Sequence, residues 1–237
     1  MLTGSTKSIT LLSRNLTISN VELVSVTQGV GRWAKYTADD IIAYLARVSN
    51  PSNESNTETA PRLLRYLIRK KHWSPFEMVN ACVYIECPRD ISRQILRHRS
   101  FSFQEFSGRY AAYDDLLSER EPRDQDTGNR QNSLPIVDDA KRLLWEKLVE
   151  TVRSVCIGAY RSALDMGIAK EVARSLLPEG LVPTRLYMNG TLRSWIHFWD
   201  VRCTPETQKE HREIAEKTRE AILKAYPQIG EIINEAS

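Results

Sequence analysis

The sequence predicts an α+β fold, a mixed or antiparallel sheet flanked by helices in a single domain. Short β-branched and aromatic runs, such as Ala81-Cys82-Val83-Tyr84-Ile85-Glu86-Cys87, stand apart from stretches whose apolar residues recur at three- and four-residue spacing. The two kinds of segment do not alternate regularly, which argues against a doubly wound sheet. A length of 237 residues with 41% hydrophobic residues accommodates one sizeable core. No internal repeat is found.

Taken in order, residues 1–20 read as a polar extension lacking the apolar run of a secretion signal, and no later run approaches a membrane span. A strand is predicted over 21–26, ending before Gly29-Val30-Gly31. Thr37 is placed to cap a helix with Ile41, Ile42 and Leu45 on one face, and Asp40 closes a variant of the capping box. A second helix is predicted over 61–71. The strand 81–87 stops at Pro88. Residues 89–97 then read as a helix started by Asp90, with Ile91, Ile95 and Leu96 as its apolar stripe and Arg93 and Arg97 one turn apart on the other face.

The stretch 118–135 holds Gly, Asn, Gln, Arg and Pro without periodicity and reads as a surface loop or mobile lid. Asp138 opens a long amphipathic helix through Leu143, Leu144, Leu148, Val152, Val155 and Ala159, closed by Gly167. Helices are predicted at 169–177, 192–200 and 206–225, leaving 227–237 as a tail.

A net charge of +3 and an isoelectric point near 8.6 suit small anionic ligands and are too mild for a protein that coats nucleic acid. Cys82, Cys87, Cys156 and Cys203 show neither CxxC spacing nor a nearby His pair. This predicts no zinc site, no disulfide framework and a reducing, cytoplasmic compartment.

Chemistry concentrates between residues 97 and 110. Arg97-His98-Arg99 is followed by seven residues and then Ser107-Gly108-Arg109-Tyr110, with Glu105 set among the cations. Arginine offers a planar, permanently charged fork that matches phosphate oxygens, and Phe101, Phe103, Phe106 and Tyr110 offer faces for a flat ring. Gly108 permits close ligand approach, and the amides near Ser107 suit anionic oxygens. Helical arginines commonly form a solvated face and alternating Phe residues commonly form core. Against that, no Lys occurs between residues 72 and 140, and Glu105 sits inside the cluster.

The same chain admits other chemistries. Gly29-Val30-Gly31 after a strand has the outline of a nicotinamide-dinucleotide turn, but Thr37 starts the helix late and Glu54 lies in a Ser/Asn loop. Arg alternating with Phe at 97–110 would also stack single-stranded RNA, although such a groove would continue in lysines. Cys203 beside Arg202 would be a nucleophile if its thiol were activated, yet a free Cys is more often an inert apolar residue.

The signature at 97–110 resembles that of the flavin-dependent thymidylate synthases. Ala46-Arg47-Val48-Ser49, His72-Trp73-Ser74-Pro75-Phe76-Glu77, Arg93-Gln94, Glu171-Val172-Ala173-Arg174 and His197-Phe198 followed by Val201-Arg202 fall in the family's order, so the resemblance spans 21–226. It implies reductive methylation of dUMP to dTMP. In that reaction 5,10-methylenetetrahydrofolate gives the carbon, FAD recharged by NADPH gives the hydride, and no enzyme nucleophile is required.

The resemblance further implies that Gln94, Arg97, Glu105, Phe106, Ser107, Gly108, Arg109, Arg174 and Arg202 surround dUMP. The phosphate would lie on 107–109 and Arg174, and Arg202 would be the catalytic group stabilising negative charge at N3 and O2. Ser49, Ser74, Glu77, Arg97, His98, Arg99, Glu105, Asn189, Thr191, Arg193 and His197 would hold FAD. On its residues alone, His197 reads as a satisfied histidine between Trp195 and Trp199. No metal, nucleic-acid or membrane partner is implied, and the family's homotetramer with shared active sites is. Met78 and Glu206 stand where many relatives have His. The stretch 189–193 is one residue longer than in compact members, which leaves both Asn189 and Thr191 as flavin contacts.

Overall fold

In the computed structural model, residues 19–116 and 120–235 are described. In chain order the elements are β1 (Asn20–Val26), α1 (Ala38–Ala46), α2 (Ala60–Arg69), β2 (Asn80–Pro88), α3 (Arg89–Ile95), β3 (Ser102–Glu105), β4 (Arg123–Gln125) and β5 (Ser133–Pro135). Then follow α4 (Asp139–Asp165), α5 (Lys170–Ala173), β6 (Pro183–Thr191), α6 (Leu192–Arg202), α7 (Lys209–Leu223) and α8 (Pro227–Glu235).

Period-two patterning builds the sheet. β2 buries Ala81, Val83, Ile85 and Cys87 and turns Cys82, Tyr84 and Glu86 away; β6 buries Thr184, Leu186, Met188 and Gly190 and exposes Arg185, Tyr187 and Asn189. The strands lie in the order β1-β2-β6-β3, every pairing antiparallel, with Ile85 opposite Leu186 and Ser102 opposite Asn189. The single-domain α+β architecture is therefore the expected one. Helices cover the buried face, and Trp195, Phe198 and Phe76 are almost wholly enclosed there. Each such side chain contributes about 1.5–3 kcal/mol by leaving water.

A smaller cluster joins Tyr113, Val149, Ile157, Tyr160, Leu177 and Leu181 beneath α4. The outer side of α4 stays apolar and bare: Leu143, Leu144, Leu148, Val152 and Val155 are between 44% and 65% exposed. Its ends match the sequence reading, since Asp138 accepts from the amides of Ala140 and Lys141 and Gly167 takes φ +81° past the last turn. At α1 the capping box forms as expected, Thr37 and Asp40 exchanging bonds of 3.2 and 3.1 Å.

Four expectations are corrected. Pro88, not Asp90, occupies the start of α3, because the Asp90 carboxylate is taken by both ends of the Arg120 fork at 2.8 and 2.9 Å. That helix ends at Ile95, so Arg97 lies in the following turn and does not stack on Arg93. The stretch 118–135 contains the β4–β5 hairpin, clasped by Arg123 Nε donating to Ser133 Oγ at 2.9 Å; polar strands this short show no hydrophobic period. Residues 227–235 are helix α8 rather than tail. Its first amides donate to the buried Asp39 carboxylate at 3.1 and 3.3 Å, and Ile229 and Ile232 enter the main core. The polar extension at 1–20 falls outside the described residues except for Ser19 and Asn20.

Candidate active site

Helix α6 carries the first part of the site. Thr191 caps it by accepting from Ser194 N at 3.2 Å. Its indoles lock it in place: Trp195 Nε1 donates to Ala81 O and Trp199 Nε1 to Thr218 Oγ1, both at 3.1 Å. Arg202 follows in the last turn, where the helix dipole favours a cation.

The half-buried Arg202 donates from Nε to His98 Nε2 at 3.0 Å. His98 accepts this bond only as neutral imidazole with its proton on Nδ1. Burial, followed by the charges of Arg202 and His197, holds its pKa down to about 4, so the accepting form prevails at neutral pH. Behind it sits His211, with ring centroids 6.1 Å from His98 and 5.9 Å from Phe198 and both nitrogens buried without a hydrogen-bond partner among the described residues. Burial, then the charges of Arg202 and His98, hold His211 down to about 3. With Nε engaged, the terminal guanidinium nitrogens of Arg202 make no hydrogen bond among the described residues.

The second part surrounds Tyr113. Gly108 is buried against that ring, and a Cβ there would stand 2.6 Å from Tyr113 Cε2 and 2.8 Å from its hydroxyl. Only glycine permits this approach. The Tyr113 hydroxyl accepts from Arg89 Nη1 at 2.9 Å. Burial pushes the Tyr113 phenol up, while the charges of Arg89 and Arg174 pull it back. Glu105 is fixed by Ser92 Oγ and Thr184 Oγ1 donating to the same oxygen at 2.6 and 3.1 Å. Arg109 reaches Glu171 at 3.4 Å with its side chain 57% exposed. Arg185 lies over the Phe106 ring, 5.3 Å from its centroid.

The third part is a cavity of about 590 Å³ lined by Trp73, Glu77, Ser100, Thr191, Arg193 and His197, among others. The Glu77 carboxylate receives Arg193 Nη1 and Thr191 Oγ1, the latter at 2.9 Å. Four residues expected to hold a flavin, Glu77, Thr191, Arg193 and His197, thus meet here. Ser49, Ser74, Arg99 and Asn189 are exposed and do not line this cavity; Asn189 sits on β6, so of the two alternatives Thr191 is the one at the cavity wall. Met78 and Glu206 are likewise exposed. Arg97 follows α3 on the surface.

Sequence reasoning missed Tyr113, Arg89, Ser92, Thr184 and His211. Their side chains act through residues already named, and nothing in their spacing marks them.

Two of the competing chemistries, the dinucleotide turn and the cysteine nucleophile, find no support. Gly31 opens only a three-residue 3-10 turn, Gly31–Trp33, and α1 begins at Ala38, so the glycines do not run into an α-helix as a dinucleotide turn requires. Burial pushes the Cys203 thiol up, away from activation. Among the described residues no group of His, Cys, Asp and Glu forms a metal site, and no helix is long and apolar enough to cross a membrane.

Known proteins share this architecture. Residues 33–228 match the family described as thymidylate synthase complementing protein. A probable flavin-dependent thymidylate synthase of Paramecium bursaria Chlorella virus 1 is 43% identical over 215 residues, 91% of this chain and 99% of that protein. The flavin-dependent thymidylate synthase of Synechocystis sp. is 48% identical over 192 residues, 81% of this chain and 87% of the relative. A solved UMP/dUMP methylase from Streptomyces cacaoi, bound with 5-Br dUMP, has a TM-score of 0.77 at 26% identity, covering 92% of this chain and 95% of its own. The chain belongs to the family of flavin-dependent thymidylate synthases. It is accordingly an enzyme, a methyltransferase.

Proposed function

We propose that the protein converts dUMP to dTMP by reductive methylation, with 5,10-methylenetetrahydrofolate as carbon donor and FAD, reduced by NADPH, as hydride carrier. The observation that carries this reading is Arg202, anchored at Nε by a neutral histidine with its fork left open. A guanidinium cannot lose its proton, so it stabilises negative charge growing at N3 and O2 of the uracil as C5 becomes nucleophilic. Holding that charge in a prepared position lowers the barrier without reorganisation.

The nucleotide phosphate is assigned to the turn at 107–109 and Arg174, whose cations and amides suit a dianion. Gln94, Arg97, Glu105 and Phe106 complete that site. FAD is assigned to the cavity of Glu77, Thr191, Arg193 and His197, with Ser49, Ser74, Arg97, His98, Arg99, Glu105 and Asn189 around it. The cavity's 590 Å³ falls in the range that holds small ligands, and Arg193 and Lys71 give it cations for a pyrophosphate. A bound reduced flavin supplies hydride. The residues need then supply no nucleophile, in keeping with the inert Cys203.

A homotetramer with shared sites accords with the bare apolar stripe of α4, a run of neighbouring apolar side chains of the kind that marks interaction surfaces. Sedimentation of the FAD-saturated protein as a monomer would contradict it.

The test is a visible spectrum of the protein with FAD, then anaerobic reduction and addition of dUMP and methylenetetrahydrofolate, with dTMP scored by chromatography. Bound flavin and dTMP are expected. Flavin without dTMP would overturn the reaction, and failure to bind flavin would return single-stranded RNA as the ligand of 97–110.

A further inference from the structure

A chain of side chains runs from the β4–β5 hairpin to Gln94. Arg123 Nη2 donates to both oxygens of Glu210 at 2.7 and 3.0 Å. Glu210 Oε2 accepts from Gln208 Nε2 at 2.9 Å, and Gln208 Oε1 accepts from Gln94 Nε2 at 2.7 Å. Gln208 stands at the N-cap of α7 without capping it, which leaves its amide free to bridge to α3.

The direction of these bonds is forced. Glu210 is 3% exposed, and although burial pushes its carboxyl up, the bonds from Arg123 and Gln208 outweigh this and keep it below its ordinary range. An ionised carboxylate only accepts. Gln208 must therefore turn its NH₂ to Glu210 and its oxygen to Gln94. Gln94 must answer with its own NH₂. Its Oε1 is left pointing elsewhere, and it accepts no hydrogen bond among the described residues.

We propose that Arg123, Glu210 and Gln208 form a polarity relay that fixes Gln94 as a hydrogen-bond acceptor in the nucleotide site, where it receives the sugar hydroxyl of dUMP. This rests on the dUMP reading above. At neutral pH the only donors of dUMP are its sugar hydroxyl and ring N3–H. Arg202 is assigned to the N3 and O2 edge, and the phosphate, which only accepts, is excluded from an outward Oε1. The hairpin thereby acquires a role in the site, because its Arg123 keeps the distant carboxylate ionised and aimed. Gln208, Glu210 and Arg123 are positioning residues, since none needs to touch the nucleotide.

Exchanging amide and acid across the relay tests its direction. Gln94→Glu sets an acceptor against Gln208 Oε1, and turning Gln208 over only moves the clash to Glu210. Equilibrium titration with dUMP should show a loss of about tenfold or more, with a lowered melting temperature. Adding Glu210→Gln lets the chain reverse, and the double variant should return to within about threefold of the wild type in affinity and recover its melting temperature. Additive losses overturn the relay, and so does coupling in melting temperature with no matching recovery of dUMP affinity, which is what a purely structural role predicts. Should Gln94→Glu alone fail to fold, recovery of both folding and dUMP affinity in the double variant is the same test.

Wild-type protein should also bind dUMP about tenfold more tightly than its 2′,3′-dideoxy analogue. Equal binding overturns the sugar assignment. If the wild type binds no dUMP at all, the proposed function itself fails, an outcome distinct from binding without rescue.

Discussion

Arg202 and Arg174 are held in opposite ways. Arg202 ends a helix whose indoles are bonded into the core, and its Nε is taken by a histidine that burial keeps neutral. Arg174 is half-buried too but follows α5, and its side chain makes no hydrogen bond or ion pair among the described residues. The first arrangement is prepared before any ligand arrives. The second has no bonded partner among the described residues to fix its fork. A prepared charge acts on the barrier, whereas an unanchored charge acts on binding.

The largest expected effect comes from breaking the prepared half. Arg202→Lys keeps the charge but loses the fork, and kcat should fall about 10²- to 10³-fold while flavin absorbance of the protein is unchanged. Retained turnover would refute the assignment. At the unanchored half, Arg174→Ala should weaken dUMP binding about tenfold or more in a calorimetric titration. Its melting temperature should scarcely move, because the Arg174 side chain makes no hydrogen bond or ion pair among the described residues.

Gly108→Val sharpens the contrast from the packing side. A branched side chain cannot share space with the Tyr113 ring, so denaturant unfolding should show a loss of about 1–3 kcal/mol together with weaker dUMP binding. Wild-type stability with intact binding would mean that the turn yields freely.

His211→Phe should have the smallest effect at neutral pH, within about 1 kcal/mol, since it removes two unpartnered nitrogens and keeps a ring. Its mark is on the pH dependence. The unfolded chain takes up protons at His98 and His211 as pH drops through 6.5, while the folded protein resists until about 4 and about 3. Stability therefore falls from pH 6.5 toward acid. Melting curves across that range should show a shallower decline in the variant, and an unchanged slope would place the proton uptake elsewhere.

The same contrast bears on what could be read from the sequence. Thr37, Asp138 and Gly167 marked helix ends through local chemistry that needs no partner, and β2 announced itself by alternation. β6 carried equally good alternation, but Pro183 and a polar exposed face concealed it. α8 was invisible because its start is secured by Asp39, far away in the chain. Within the site, the arginines and Gly108 were legible as motif residues. Tyr113, His211 and Gln208 were not, because each acts by touching another side chain across the fold.

The most direct measurement is the initial rate against dUMP concentration for Arg202→Lys and Arg174→Ala side by side, with FAD and methylenetetrahydrofolate saturating. The account expects Arg202→Lys to lose kcat with little change in dUMP affinity, and Arg174→Ala to raise KM while approaching the wild-type rate at saturation. Two variants failing in the same parameter would contradict the division of labour between the anchored and the unanchored arginine.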